Sequence, residues 1–216
     1  DGSLNSVQGG EDADFDFQRG SAATRVNAQG LVENVQILSG NLVQNGDFSE
    51  IGSELVTNGD FATDSDWVEQ NGWSIANNTA IFSGTLSAYR KLYQENILTI
   101  GKIYKLTFDI VSINSGSVKN FSQSSPTSYS TIGTKTEYFT ATYDDLFLEP
   151  TTDADLTIDN VSVKEVGQNW TLGTGWSIGE DKATVDNTVN TSLDQTCLTS
   201  GKKYKVSFEI SDLQVG

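Results

Sequence analysis

The chain has 216 residues, with 13 Lys and Arg against 29 Asp and Glu, and its formal net charge of −16 repels nucleic acid and anionic membrane surfaces. It contains no His and one Cys, which removes the commonest catalytic base and transition-metal ligand and any internal disulfide framework. No run approaches the ~18 apolar residues that a spanning helix needs, so neither nucleic acid nor membrane insertion is expected.

Residues 1–53 read as a leader. Gly9-Gly10-Glu11-Asp12-Ala13-Asp14 has too little apolar content to fold alone. Phe15-Asp16-Phe17, Arg19-Gly20-Ser21-Ala22-Ala23-Thr24-Arg25-Val26-Asn27 and Gly30-Leu31-Val32-Glu33 follow. Ordering such a segment costs conformational entropy that contacts with other chains must offset. Residues 1–53 are therefore expected to form an extended anchoring and assembly arm, with Phe15, Phe17, Arg19 and Arg25 as its contact residues. A short duplication crosses the arm's end: Leu42-Val43-Gln44-Asn45-Gly46-Asp47-Phe48 returns as Leu55-Val56-Thr57-Asn58-Gly59-Asp60-Phe61, offset by 13.

Residues 54–166 carry short alternating runs between Gly, Asn, Ser, Thr and Asp. In 103–111, Tyr104, Leu106, Phe108 and Ile110 point one way while Lys105, Thr107 and Asp109 point the other, the period-2 signature of a strand with one buried face. Further strands are expected at 73–76, 79–83, 87–93, 136–143 and 155–166. In the last, the apolar phase slips between Leu156/Ile158 and Val161/Val163. An extra residue at Asp159-Asn160 reconciles the two, so a β-bulge is expected there, re-aiming a carboxylate. Several short strands in a module of this size predict an antiparallel β-sandwich.

Residues 167–216 repeat the module's first part. Trp67 and Trp73, followed by Ser74-Ile75, recur 103 residues later as Trp170 and Trp176, followed by Ser177-Ile178. The run 98–110 returns at 198–210, with Tyr204, Val206, Phe208 and Ile210 on one face. A repeat of about a hundred residues is domain-sized, so the expected organisation is tandem modules. The second copy ends six residues past Ile210, which leads to the expectation of a longer chain or of strands supplied by another one. Cys197 aligns with Ile97 and is expected to be a small buried hydrophobe.

Two stretches resemble known families. The opening 55–61, Trp67, Trp73 and the closing Ile158-Asp159-Asn160-Val161-Ser162-Val163 resemble the jelly-roll carbohydrate-binding modules found beside glycoside hydrolases. The leader's 17–33, with its Arg, Ala-Thr-Arg-Val-Asn and Gly-Leu in that order, is similar to a segment of tailed and marine bacteriophage fibre, spike and tail proteins. Together they imply an all-β chain of jelly-roll sandwich modules in tandem behind an extended N-terminal arm. The implied function is a non-enzymatic structural component of a phage virion: a fibre, spike or fibre-anchoring protein displaying carbohydrate-binding-like modules. Its implied partners are other virion proteins, copies of itself (a trimer favoured) and host surface glycans, and its place is the virion surface. The alternative is a secreted bacterial carbohydrate-binding module attached to an enzyme or cell-surface protein. The second copy departs from the pattern, since no Asn-Gly-Asp-Phe stands shortly before Trp170.

The resemblance also implies a structural calcium between the opening segment and the last strand, with Asp60 and Asp159 as acidic ligands; calcium takes six to eight oxygens. A turn at Asn58-Gly59 capped by Asp60 explains the same residues without a metal. Trp67 and Trp73 recur in the second copy, which suits a scaffold role. The candidate glycan contacts are therefore Tyr89 and Tyr93, without counterparts in the second copy, and Tyr129 and Tyr143, beyond its reach. Asp144-Asp145 with Glu149 invites a glycosidase comparison, because that chemistry needs two carboxyls a few ångströms apart. Adjacent strand residues point to opposite faces, so no catalytic residues are assigned.

Overall fold

A computed structural model describes residues 23–26, 29–35, 40–85, 90–185 and 191–211. The chain divides into two units, 1–42 and 43–216. Within the first, β1 (Ala23–Val26) and β2 (Val32–Val35) pair antiparallel, Ala23 opposite Val35 and Val26 opposite Val32. Gly30, at φ 77, supplies the left-handed turn conformation that side chains disfavour. Two paired strands thus lie within the leader, and the first unit ends at Leu42. Arg25 lies opposite Glu33 in this register, whereas Phe15, Phe17 and Arg19 fall outside the described residues.

The second unit is an antiparallel β-sandwich, and no helix occurs among the described residues. Its strands in chain order are β3 (Ile51–Glu54), β4 (Val68–Glu69), β5 (Trp73–Ala76), β6 (Thr79–Ser83), β7 (Leu92–Gln94), β8 (Ile103–Ser115), β9 (Val118–Asn120), β10 (Ser128–Tyr129), β11 (Gly133–Thr140), β12 (Leu146–Pro150) and β13 (Asp155–Val166). One sheet runs β11-β8-β13-β6-β5, with β3 on the end of β13; the other runs β10-β9-β12-β7-β4. Tyr104, Leu106, Phe108 and Ile110 turn inward from β8 and meet Leu92, Val118, Leu146 and Leu148 from the opposite sheet, all buried. The alternation predicted for 103–111 holds from Tyr104 to Ile110, and the strand itself continues to Ser115.

Trp67 and Trp73 both belong to this core, each 7% exposed. Their indole N–H groups find backbone acceptors, Asn58 O at 2.9 Å and Arg90 O at 2.8 Å, as buried indoles require. The bulge in β13 also forms: Asp159 pairs with Asp109 and Ser162 with Thr107, so Asn160 and Val161 together oppose Phe108. The re-aimed residue is Asn160, at φ 53, rather than the carboxylate of Asp159. Asn tolerates that left-handed conformation better than other side chains.

The second repeat supplies β14 (Thr171–Leu172), β15 (Trp176–Gly179), β16 (Lys182–Val185) and β17 (Leu193–Asp194), paired β14 with β17 and β15 with β16. The pairing copies β4 with β7 and β5 with β6. The stretch equivalent to β8 keeps its local anchor, Thr199 N donating to Tyr204 Oη at 2.8 Å as Thr99 N does to Tyr104 Oη. It pairs with no strand among the described residues, and Val206, Phe208 and Ile210 are exposed. Cys197 is half-buried. Trp170, with no Asn-Gly-Asp-Phe shortly before it, uses the one far upstream: Trp170 Nε1 donates to Asn45 O at 2.8 Å, and Phe48 packs on its ring at 5.3 Å.

Candidate functional site

The outward face of the β4/β7/β12 sheet carries the most concentrated mixture of rings and polar groups. Along β12, Leu146, Leu148 and Pro150 are buried, which turns Phe147 and Glu149 outward. Along β7, Leu92 and Gln94 are buried and Tyr93 turns outward. The register sets Phe147 opposite Tyr93, ring centroids 5.6 Å apart, and Tyr143 meets the Phe147 ring edge-on at 5.6 Å. Lys91 Nζ sits 3.9 Å from the Phe147 centroid, a cation–π contact. Lys91, Tyr93 and Phe147 line a groove of about 420 Å³ with Gln70, Arg90, Glu95, Asp145 and Glu149.

The groove is braced from below. Arg90 is held three ways: its carbonyl accepts from Trp73, its Nε donates to Pro150 O at 2.6 Å, and its guanidinium pairs with Glu149 at 3.1 Å. Gln70 clamps Lys91 with two bonds of 2.9 Å, one from backbone to backbone and one from Lys91 N to Gln70 Oε1. Asp145 Oδ1 accepts from Asn96 N at 2.8 Å. Rings for C–H faces, beside fixed donors and acceptors for hydroxyls, are what a saccharide needs. Two of the three groove carboxylates are committed to structural partners, Glu149 to Arg90 and Asp145 to the Asn96 amide, and the third, Glu95, is exposed.

Of the tyrosines singled out in the sequence, Tyr93 lines this groove and Tyr143 packs on the Phe147 ring, while Tyr89 lies outside the described residues. Tyr129 lies apart from the groove. It faces inward and packs edge-on against Phe108 at 5.6 Å. Burial and the nearby Glu137 push its hydroxyl pKa upward. With only two residues, β10 shows no alternation from which its phase could be read. Sequence reasoning missed Phe147, Arg90 and Lys91. The signal for Phe147 was present, since the apolar Leu146, Leu148 and Pro150 define the opposite face.

The opening segment and the last strand do adjoin: Val161 N donates to Gly59 O at 2.8 Å and Leu55 N to Val163 O at 3.0 Å. Their carboxylates, however, serve the backbone. Asp60 Oδ1 accepts from Ala62 N at 3.3 Å and Asp159 Oδ1 from Asn160 N at 2.7 Å. The carbonyls of Thr63 and Ser65 converge on Asn58 Nδ2, at 2.7 and 2.9 Å. Among the described residues no group of three or more acidic, Cys or His side chains could hold a metal ion. The two carboxylates supply only part of the six to eight oxygens that calcium takes.

One carboxylate points into the sandwich. Glu137 on β11 is 8% exposed and accepts from Gln123 Nε2 at 2.5 Å, while its Oε2 has no partner. Burial pushes its carboxyl above the usual range, against the opposing pull of Gln123.

No protein-family model matches the chain, and no curated protein matches it. Among solved structures it is similar to one described as "CBM4 structure and function", at 19% identity and a TM-score of 0.31, covering 56% of this chain and 98% of that one.

Proposed function

We propose that the protein is a non-enzymatic binding and assembly protein whose module 54–166 takes a saccharide in the groove of Tyr93 and Phe147. The observation that carries this reading is the pair of outward rings, Tyr93 and Phe147, set 5.6 Å apart beside the braced Arg90–Glu149 pair. Stacking on such rings is sequence-encoded and rigid, since each aromatic loses little rotamer freedom on binding. The commitment of Glu149 and Asp145 to structural partners favours binding over hydrolysis. Affinity electrophoresis through gels containing neutral polysaccharides tests it. The native chain should be retarded, and Tyr93→Ala or Phe147→Ala should run as in a gel without polysaccharide. Equal retardation of parent and variants removes the groove from the mechanism.

The virion placement rests on the resemblance of residues 17–33 to phage fibre, spike and tail proteins. On that reading the leader docks the chain among other virion proteins and further copies of itself, three being favoured, with host surface glycans as the target. Deleting residues 1–42 should leave the sandwich folded and abolish incorporation into particles. Normal incorporation of the truncated chain would favour a secreted carbohydrate-binding module instead.

A further inference from the structure

We infer that residues 54–166 are a module inserted into a second, discontinuous module, built from residues 43–52 and 167–211, which holds the groove-bearing module by both of its ends. The contacts around the opening Asn of the two modules correspond. In the first, the Asn58 carbonyl accepts from Phe61 N at 3.2 Å and Trp67 Nε1 at 2.9 Å; its side chain accepts from Thr63 N and donates to Ser65 O, two residues before Trp67. In the second, the Asn45 carbonyl accepts from Phe48 N at 3.2 Å and Trp170 Nε1 at 2.8 Å; its side chain accepts from Glu50 N and donates to Gln168 O, two residues before Trp170. Both Asn and both Phe take positive φ, 52 and 49 against 47 and 59. The ring pairs match as well, Phe61–Trp67 at 5.2 Å and Phe48–Trp170 at 5.3 Å. Gln94 brackets Thr57 with two hydrogen bonds, and Gln195 brackets Gln44 with two.

The direction of the offsets decides the order. Everything from Trp170 onward follows its counterpart by about a hundred residues, whereas Asn45-Gly46-Asp47-Phe48 precedes its counterpart by 13. The whole of 54–166 therefore lies between the two parts of the second module. Entry and exit strands are paired at the junction, with Ile51 opposite Val166 and Glu54 opposite Lys164. Gly52 permits the crossing, because a Cβ there would lie 2.7 Å from Gln168 Nε2 and 3.2 Å from Glu165 O. Ile103 and Val166 of the inserted module bury Ile178 of its carrier to 1% exposure, with Phe48 and Trp170 packed alongside. A single flexible linker is thus replaced by a paired, packed, two-point attachment.

The carrier has lost the groove's chemistry. Where the inserted module has Gln70, Arg90, Lys91 and Tyr93, the equivalent positions hold Gly173, Thr191, Ser192 and Asp194. One module is a mount and the other is mounted.

The test uses the full chain labelled with 15N and its four indole N–H signals. Asn45→Ala should speed hydrogen exchange at the Trp170 indole about tenfold and leave Trp67 unchanged, because Ala resists the positive φ that aims the accepting carbonyl. Asn58→Ala should do the reverse. Phe48→Leu serves as a milder variant and should shift the Trp170 signal alone, should Asn45→Ala unfold the carrier. Relaxation of backbone amides should give both modules one rotational correlation time. A response of Trp67 to the Asn45 or Phe48 changes, an unaltered Trp170, or two separate correlation times would overturn the inference. None of these readouts depends on saccharide binding.

Discussion

Replacing Phe108 with Ala probes the sandwich where it is most crowded. The side chain is 1% exposed, sits opposite the bulge at Asn160-Val161 and meets Tyr129 edge-on at 5.6 Å. Phe→Ala in a close-packed core costs about 3–5 kcal/mol, the transfer of the ring plus the cavity it leaves. The lost ring pair accounts for roughly 0.5–1.5 kcal/mol within that figure. With a urea dependence of ~2 kcal/mol per molar, the unfolding midpoint should fall by roughly 1.5–2.5 M. Phe208 holds the same place in the repeat but is 79% exposed, so Phe208→Ala should stay within about 0.5 kcal/mol of the parent. Urea titrations of both variants, followed by far-UV circular dichroism and Trp fluorescence, make the comparison. If Phe108→Ala costs less than about 1 kcal/mol, the inward face of β8 is misassigned. If the two substitutions cost the same, the segment carrying Phe208 is covered in solution.

Three further outcomes are expected. Tyr93→Ala and Phe147→Ala should melt close to the parent by calorimetry, because both rings face outward, which separates loss of binding from loss of fold. Glu137 has a raised pKa in the folded state, so the unfolded chain releases its proton first, and stability from this group is full below the ordinary Glu pKa and lost as pH rises through the folded value. The melting temperature of Glu137→Gln relative to the parent should therefore climb as pH rises from about 4.5, the ordinary Glu value; a gap that is flat or shrinking with pH refutes the buried carboxyl. Adding a chelator should leave the melting temperature unchanged, because Asp60 and Asp159 serve backbone amides; a fall would restore calcium through mass action on the folded state.

What was legible in the sequence follows from how each signal is written into the chain. Burial on one face leaves a period of two, so the inward set Tyr104, Leu106, Phe108 and Ile110 could be read directly, and the phase slip at Asp159-Asn160 announced the bulge. The groove was half legible. Tyr93 stands out for lacking a counterpart in the repeat, but its partnership with Phe147 is a matter of register between β7 and β12, and register is set by contacts far apart in sequence. Tyr129 misled because β10 is too short to show a face.

The nesting of the two modules is less legible, although the residues that carry it all stand in the sequence. A search at one offset assumes that copies follow one another, and an insertion breaks that assumption. Buried indole N–H groups favour an acceptor, and for Trp67 and Trp170 it is the carbonyl of an Asn that opens an Asn-Gly-Asp-Phe turn. Trp67 has its opener nine residues upstream, at Asn58. Nine residues beyond Asn45 stands Glu54, so that opener has no Trp of its own nearby, while Trp170 has no opener of its own nearby. An opener without a Trp, followed by a complete set, followed by a Trp without an opener, is the order of one closed unit set inside another. The hydrogen bond from Trp170 to Asn45, across 125 residues of chain, closes the outer pair.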